Sequence, residues 1–243
     1  IKHLTGVDVN GDGKEDDIVA RGLFIDKSIG VIFDYQAGPI YQLGETRLPG
    51  FQEGSLSVFD LDKNGMINAD DRMFLGKREP AYSMSLYNSL SYKGFTLSFM
   101  LNSIQGGKDG YLGNNVRLFF REDNSIRNND LKGIDYWSPT NPGGKYPRII
   151  SGTHSTVEPP LWEKRSFIRL QDLSLGYSLP ASILNKIKAQ AISIYISGKN
   201  LVTWTNWDGW DPEGLNANGA VQGMITDGRP VLRGFTIGAH LTF

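Results

Sequence analysis

The sequence contains no cysteine among its 243 residues. A disulfide framework, a thiol nucleophile and a cysteine-ligated zinc site are therefore excluded. Histidine is nearly absent as well, since only His3, His154 and His240 occur. They are too few and too scattered for a histidine-rich metal site, and no paired acid and base or phosphate-binding glycine loop accompanies them. The sequence therefore does not predict an enzyme.

An excess of either charge is also missing. The 25 basic and 26 acidic residues are well mixed and leave a net charge of −1. Binding to nucleic acid needs a basic surface that neutralises phosphates, so this class of partner is excluded. The sequence also has no run of 18 or more apolar residues, which excludes a transmembrane helix. Strands of a membrane barrel remain allowed, because they alternate apolar and polar residues.

The chain begins at Ile1 without an initiator methionine, a basic segment or an apolar leader. We therefore expect the N-terminus to be a cut, and the chain to be a piece of a longer protein.

Alternation with a period of two dominates the second half of the chain and predicts strands. Each apolar face is opposed mainly by serine, threonine, glycine and asparagine, which suits a water-filled lumen better than a solvated surface rich in lysine and glutamate. In the third strand, Ile168 and Leu170 are out of phase, which indicates a bulge or a segment above the membrane. Five strands are expected, at Ser83–Tyr92, Phe95–Ser103, Phe167–Leu179, Ala191–Lys199 and Phe235–Phe243.

The connections between these strands are unequal. Lys93-Gly94 is a tight turn and Pro180–Gln190 is a compact one, whereas Gly106–Arg165 and Trp204–Arg229 are long and rich in glycine and asparagine. Short turns on one side and long loops on the other are typical of outer-membrane barrels. A soluble sandwich or barrel, whose strands also alternate, is the competing interpretation.

The sharpest local motif lies between residues 60 and 71. It places oxygen-bearing side chains at positions 1, 3, 5, 9 and 12 of a calcium loop, with a main-chain carbonyl at position 7 and Gly65 at the sharp turn. An aspartate at position 12 resembles dockerin-type loops, and a solvated turn rich in Asp and Asn is the alternative. The predicted calcium ligands are Asp60, Asp62, Asn64, Met66 (carbonyl), Asn68 and Asp71.

A second acidic run matches the same pattern less well. Asp8, Asn10, Asp12 and Asp16 occupy positions 1, 3, 5 and 9, but position 12 is a valine, which cannot ligate a metal. A cation site and a metal-free turn both remain open for this run.

Tryptophans concentrate at the start of the last long loop. Trp204, Trp207 and Trp210 lie near Asp208 and Asp211, an arrangement that can hold sugar rings or contact a partner. An aromatic girdle at the membrane edge is the alternative for these residues.

Several landmarks, in a fixed order, resemble the SusC-like (SusC/RagA) family of TonB-dependent outer-membrane transporters over nearly the whole chain. They are Gly30–Tyr35, Gly38–Gln42, the loop 60–71 followed by Arg72 and Leu75-Gly76, Tyr92–Phe99, Tyr136–Pro142, Tyr146–Arg148, Phe167–Tyr177, Ser197–Leu201 and Trp210–Glu213. The resemblance implies an all-β fold, the C-terminal strands of a large, 22-stranded antiparallel barrel with long extracellular loops.

On this resemblance, residues 1–82 are an extracellular loop region with the candidate calcium loops and perhaps one barrel strand. Residues 83–243 form the last five strands, and the plug and the TonB box lie upstream. The expected assembly signal is carried by Phe235, Ile237, Leu241 and Phe243.

The family implies import of glycans or peptides across the outer membrane of a Gram-negative bacterium. Its expected partners are membrane lipid, TonB and a SusD-like surface lipoprotein. A secreted, calcium-binding β-domain that acts in carbohydrate binding or adhesion is the alternative function.

Overall fold

The computed structural model describes residues 1–109, 135–148, 157, 159, 161–208, 211–213 and 231–243. Within these residues the chain is mainly β-structure, which confirms the predicted antiparallel all-β fold. No helix in the described part is long and apolar enough to span a membrane. The strands are β1 (Val31–Tyr35), β2 (Ala37–Ile40), β3 (Leu56–Val58), β4 (Arg72–Lys77), β5 (Pro80–Tyr92), β6 (Phe95–Gly106), β7 (Lys108–Asp109), β8 (Glu163–Lys164), β9 (Phe167–Ser178), β10 (Ala191–Thr205) and β11 (Gly234–Thr242). Helix α1 spans Ala181–Ile187, and two 3₁₀ turns lie at Val19–Arg21 and Ala69–Asp71.

The chain divides into two compact units. The first contains residues 1–79 and 108–163, and the second contains residues 80–107 and 164–243. The described segment 135–148 of the long connection Gly106–Arg165 belongs to the first unit.

The second unit is a five-stranded antiparallel sheet in the order β11-β10-β9-β6-β5. Its strands lie where the alternation predicted them, although β5, β6 and β10 extend further than expected. The register pairs Ile104 with Phe167 and Phe167 with Thr205, so both long connections leave from one end of the sheet. We call this the loop end, and we call the opposite end, with the two short connections, the turn end.

One face of the sheet, here called the apolar face, consists mainly of apolar side chains, with the polar Asn88 and Ser103 among them. Directly paired residues in an antiparallel sheet share a face, so the register assigns its members. They lie on all five strands and include Met84, Leu86, Leu90, Phe95, Leu97, Phe99, Leu101, Leu173, Leu175, Tyr177, Ile192, Ile194, Ile196, Phe235, Ile237, Ala239 and Leu241. Many are exposed, and Ile237 is 81% accessible. The sheet therefore presents to its surroundings a face that is costly to leave in water.

A bulge in β9 explains the phase change that the sequence showed. Met100 pairs with Asp172, but the next residue of β6, Leu101, pairs with Leu170, so Gln171 is the extra residue. The bulge moves Leu170 onto the apolar face and turns Arg169 to the opposite, polar face. The residues of β9 that lie on the apolar face therefore have odd numbers after Gln171 and even numbers before it.

The polar face carries an unbroken row of hydroxyl groups across the sheet. Ser89, Ser98, Ser174, Ser197 and Thr236 occupy paired positions on the five strands. Uncharged hydroxyls keep their hydration without presenting a fixed charge, so this face suits contact with water and polar solutes.

The turn end contains two compact connections. Lys93 and Gly94 have φ values of 46° and 87°, the left-handed pair of a type I′ hairpin turn. Between β9 and β10 the structure forms helix α1, which the alternation did not predict. Pro180 precedes its first turn, and Lys188 closes it in a left-handed conformation.

In the first unit, β1 pairs with β4 in one small two-stranded sheet and β2 pairs with β3 in another. A ring cluster of Phe24, Phe33 and Phe74 packs on the first sheet, with centroids 4.8–5.0 Å apart. Beside the second sheet, Trp137 is 2% exposed and donates its indole N–H to Gln42 at 2.9 Å. The contact of Trp137 with Gln42 holds the segment 135–148 within the first unit.

Candidate functional site

The segment from Asp60 to Asp71 folds as a tight loop whose side-chain oxygens turn inward on its own main chain. Asp60 accepts the N–H of Asn64 at 3.2 Å and that of Gly65 at 2.9 Å. Asp62 also accepts from the N–H of Asn64, and Asn64 in turn accepts from Met66. Left-handed backbone at Lys63 and Gly65 makes this winding possible. The first half of the loop thus holds the oxygens of positions 1, 3 and 5 close together.

Asp71 completes the loop from its far end. Its carboxylate is 1% exposed and accepts the N–H groups of Leu61 and Asn68, each at 2.8 Å. The side chain of Asn68 accepts the N–H of Asp70 and so caps the short 3₁₀ turn. The buried carboxylate of Asp71 accepts these main-chain donors, so position 12 is bonded to position 2 and the loop is closed.

Carboxylate oxygens of Asp60, Asp62 and Asp71 lie within 4.8 Å of one another. Burial alone would raise the pKa of Asp60, but the N–H of Gly65 and further hydrogen bonds outweigh it and lower that pKa. Three carboxylates in one small space are a donor set of the kind that a hard cation such as Ca²⁺ uses. Asn64, Asn68 and Met66, the other predicted ligands, lie in the same loop.

The first acidic run has the same winding in its first half. Asp8 accepts from Asp12 at 3.2 Å and from Gly13 at 2.8 Å, Asn10 accepts from Asp12, and Asp12 accepts from Lys14. These bonds match, position for position, those of the second loop. Gly11 and Gly13 supply the left-handed residues at positions 4 and 6.

The two loops differ in how they close. In the first, Asp16 at position 9 accepts the N–H of Val9 and the side-chain amide of Asn10. Asp16 therefore accepts the main-chain N–H of position 2, as Asp71 does in the second loop. Within the described residues, the acidic group that could share one ion is Asp60, Asp62 and Asp71, and the first run does not form such a group.

A buried ionic cluster, which we call the arginine clamp, lies at the loop end of the sheet on the polar face. Arg169 is 2% exposed and donates to Asp211 at 2.7 Å, to Glu213 and, through Nε, to the Thr203 hydroxyl at 2.9 Å. Arg165 donates two N–H groups to the carbonyl of Pro212. The clamp therefore fixes the segment Asp211–Glu213 on the sheet.

Sequence reasoning did not single out the arginine clamp. Arg169 looked like one polar residue in an ambiguous strand start, and the bulge that turns it inward becomes visible only in the register. Its signal in the sequence was the out-of-phase pair Ile168 and Leu170, because residues on either side of an inverted alternation exchange faces.

The structure places two of the three predicted loop tryptophans. Trp204 pairs with Ile168 on the apolar face, at the loop end, and is 54% exposed. The guanidinium carbon of Arg165 lies over the Trp207 ring, 5.5 Å from the centroid of that ring. Trp210 lies outside the described residues, as does most of the long loop that follows it.

The residues of the predicted assembly signal lie on the last described strand and at its end. Phe235, Ile237 and Leu241 belong to the apolar face of β11, and Phe243 follows the strand. All four side chains are exposed. His240 pairs with Ser193 on the polar face.

Comparison with known sequences gives relatives of one kind. The chain is 31% identical over 238 residues to TonB-dependent receptor P3 of Formosa agariphila, covering 89% of this chain and 22% of that receptor. It is 30% identical over 198 residues to TonB-dependent receptor P26 of the same organism, covering 78% of this chain and 20% of that receptor. The chain spans about a fifth of the length of these curated relatives. No family model matches it.

Solved structures with a similar fold include the RagAB peptide transporter, with a TM-score of 0.59 and 20% identity over 88% of this chain and 23% of that one. The RagAB peptide importer in its closed-closed state gives a TM-score of 0.56 and 21% identity, over 87% of this chain and 23% of that one. At this identity the likeness concerns the fold.

Proposed function

Because the chain belongs to the family of TonB-dependent receptors, we propose that it forms part of the wall and mouth of an outer-membrane importer of nutrient oligomers. The substrates are oligosaccharides or peptides, and the energy comes through TonB, which engages the rest of the receptor. A SusD-like surface lipoprotein is the proposed partner at the external mouth.

The observation that carries this proposal is the two-faced sheet. Its mainly apolar face extends over five strands and is largely exposed, while the opposite face carries the hydroxyl row and the arginine clamp. A water-soluble domain buries such an apolar face against a second layer. A membrane barrel instead turns it to lipid and keeps the polar face for the lumen.

The dimensions of the apolar face fit a bilayer. Tyr92, Phe95 and Tyr177 share a row at the turn end, and Trp204 pairs with Ile168 at the loop end. The two rows are separated by about 27 Å along β6 at roughly 3.4 Å per residue. A strand tilt of about 40° reduces this to roughly 20 Å along the membrane normal, close to the ~25 Å apolar band of outer-membrane barrels.

A sheet in lipid must also have no open edge, because lipid cannot satisfy unpaired main-chain groups. Strands β5 and β11 are the edges of this sheet. In the proposed function, further strands of the receptor pair with these two edges and close the barrel. The alternative of a secreted calcium-binding module gives no account of the exposed apolar face.

The proposal is tested on the complete receptor in lipid vesicles, with single spin labels at successive positions of β11 and β9. Labels on β11 should be accessible to a lipid-soluble quencher at Ile237 and Ala239 and protected from it at Thr236. On β9 the accessible positions should change from odd to even numbers across Gln171. Uniform accessibility along either strand would contradict the membrane-spanning sheet.

Import itself is measured as uptake of labelled oligosaccharides and peptides by cells that carry the receptor, with and without TonB. Uptake of one class should require both the receptor and TonB. Uptake that survives removal of either would overturn the proposed transport function, and the class taken up identifies the substrate.

We further propose that the loop 60–71 binds a structural Ca²⁺ through Asp60, Asp62, Asn64, the Met66 carbonyl, Asn68 and Asp71. The converging carboxylates and the buried Asp71 support this assignment. With a Kd of about 0.1–1 mM, which is typical of extracellular calcium modules, 10 mM Ca²⁺ would stabilise the folded loop by about 1.4–2.7 kcal/mol.

Calcium binding is tested by hydrogen exchange of the Gly65 and Asn68 amides, with Ca²⁺ and with chelator. Protection should rise with Ca²⁺ in the parent protein and stay unchanged in Asp62→Asn, which keeps the loop but loses a charged ligand. Asp16→Asn in the first acidic run is the matched control and should leave the response of loop 60–71 intact. Equal protection with Ca²⁺ and chelator would contradict the proposal.

A further inference from the structure

Helix α1 leaves two large apolar side chains uncovered at the turn end of the sheet. Ile183 and Ile187 are 43% and 50% exposed, and their spacing of four residues places them on one side of the helix. Leu184 is half-buried and Ala189 is buried, so the connection is held in place while the two isoleucines remain outside.

The charged side chains around this helix have one sign. Lys186 and Lys188 lie in and just after its last turn, and Lys93 forms the neighbouring hairpin turn. The N–H of Ser178 donates to the carbonyl of Gly94 at 2.8 Å, which places this hairpin beside the start of the helical connection. No aspartate or glutamate occurs in residues 80–107, 173–207 or 231–243. The turn end therefore complements an anionic surface.

Aromatic side chains border the same end of the apolar face. Phe95 and Tyr177 contact each other with ring centroids 4.4 Å apart, and Tyr92 occupies the adjacent paired position. Aromatic rings of this kind prefer the boundary between acyl chains and headgroups. Helix α1 thus begins at the depth where the lipid headgroups start.

From this arrangement we infer that helix α1 is an interfacial anchor that lies in an anionic phospholipid headgroup layer at the turn end of the sheet. This inference rests on the proposed membrane-spanning function. Ile183 and Ile187 enter the outermost part of the acyl layer, and Lys186, Lys188 and Lys93 contact lipid phosphates. Short basic amphipathic segments bind membranes through this combination of buried apolar area and attraction to anionic lipids.

The helix offers a matched control for a lipid-contact experiment. Asn185 is exposed but lies about 200° around the helix from both isoleucines, at 100° per residue. Single cysteines are introduced as Ile187→Cys, Asn185→Cys and Ile194→Cys into a version of the complete receptor without other reactive cysteines. Each carries an environment-sensitive fluorophore, and the receptor is reconstituted in bilayers that contain brominated phospholipid.

The fluorophores at positions 187 and 194 should be quenched at least twofold more than the one at position 185. In bilayers with phosphatidylglycerol, the double change K186Q/K188Q should reduce quenching at position 187 and leave position 194 unchanged. In bilayers of phosphatidylcholine alone, that double change should have little effect.

Three results would overturn the inference. In the first, the fluorophore at 194 is quenched, whereas the one at 187 is not quenched and is exposed to water. This result would place the helix in the aqueous phase while the sheet remains in lipid. A fluorophore at 187 that is shielded from both water and brominated lipid would indicate a protein partner instead. If the fluorophore at 194 is not quenched, the sheet does not span the membrane, and the inference fails together with the proposed function.

Discussion

Replacing Arg169 with methionine is expected to release the segment Asp211–Glu213 from the polar face of the sheet. The substitution keeps a long side chain but removes all of the donors that Arg169 gives to Asp211, Glu213 and Thr203. Asp211 is 7% exposed, so its carboxylate is left buried without its cation. Breaking a buried pair in this way costs about 3–5 kcal/mol.

The two acidic partners should contribute unequally to that cost. The side chain of Glu213 is 42% exposed and can turn to water, so its pair with Arg169 is worth about 0–1 kcal/mol. Glu213→Gln is therefore the matched control with a small effect. The double variant R169M/D211N removes both buried charges and should cost less than the sum of the two single changes.

The assay is hydrogen exchange at the amides of Glu213 and Val231, which donate to the two oxygens of Asp211 at 2.8 and 3.2 Å. In the complete receptor, a local loss of about 3–5 kcal/mol accelerates their exchange roughly two hundred-fold to five thousand-fold. Glu213→Gln should accelerate it by about fivefold at most. If R169M exchanges no faster than Glu213→Gln, the arginine clamp does not hold the segment.

Three further predictions concern the sheet and the loop 60–71. A Cβ at Gly238 would lie 2.4 Å from the ring of Tyr195, so Gly238→Val should displace that ring and destabilise the receptor by about 1–3 kcal/mol, measured by urea titration in micelles. Gly94→Val imposes a β-branched residue at a φ of 87° and should slow or prevent folding in a refolding assay, whereas Gly234→Ala meets no atom within 4 Å and should fold like the parent. Asp71→Ala removes the acceptor of two main-chain N–H groups and should lower the unfolding temperature of the first unit even in chelator, since the loop closure is lost together with the ligand.

Much of the sheet was predictable from the sequence because its alternation is local. Each strand of the second unit shows its apolar face directly in residues two apart, and Lys93-Gly94 has the composition of a tight turn. The sequence could also indicate that β9 contains a bulge, because Ile168 and Leu170 fall out of phase. It could not place the extra residue at Gln171, which is defined only by the pairing with β6.

Features that depend on distant parts of the chain were not predictable. Trp137 is buried through its contact with Gln42, 95 residues away in sequence, and Arg169 through contacts about 40 residues away. Helix α1 is too short for its period to be read among the flanking strands. In the loop 60–71, spacing alone identified the oxygen donors, but the burial of Asp71 and the capping role of Asn68 required the structure.

The bulge at Gln171 also constrains how this segment can change in length. Deleting Gln171 alone would restore regular alternation to β9 and would keep Leu170 and Arg169 on their present faces, because Gln171 is the extra residue of the bulge. Deleting Leu170 together with Gln171 would instead carry Arg169 to the apolar face. An arginine on the lipid-facing surface beside the loop-end row costs about 0–1 kcal/mol in a barrel, and loss of the partner of the buried Asp211 adds about 3–5 kcal/mol. Deletion of Gln171 alone should therefore be tolerated better than deletion of Leu170 and Gln171 together.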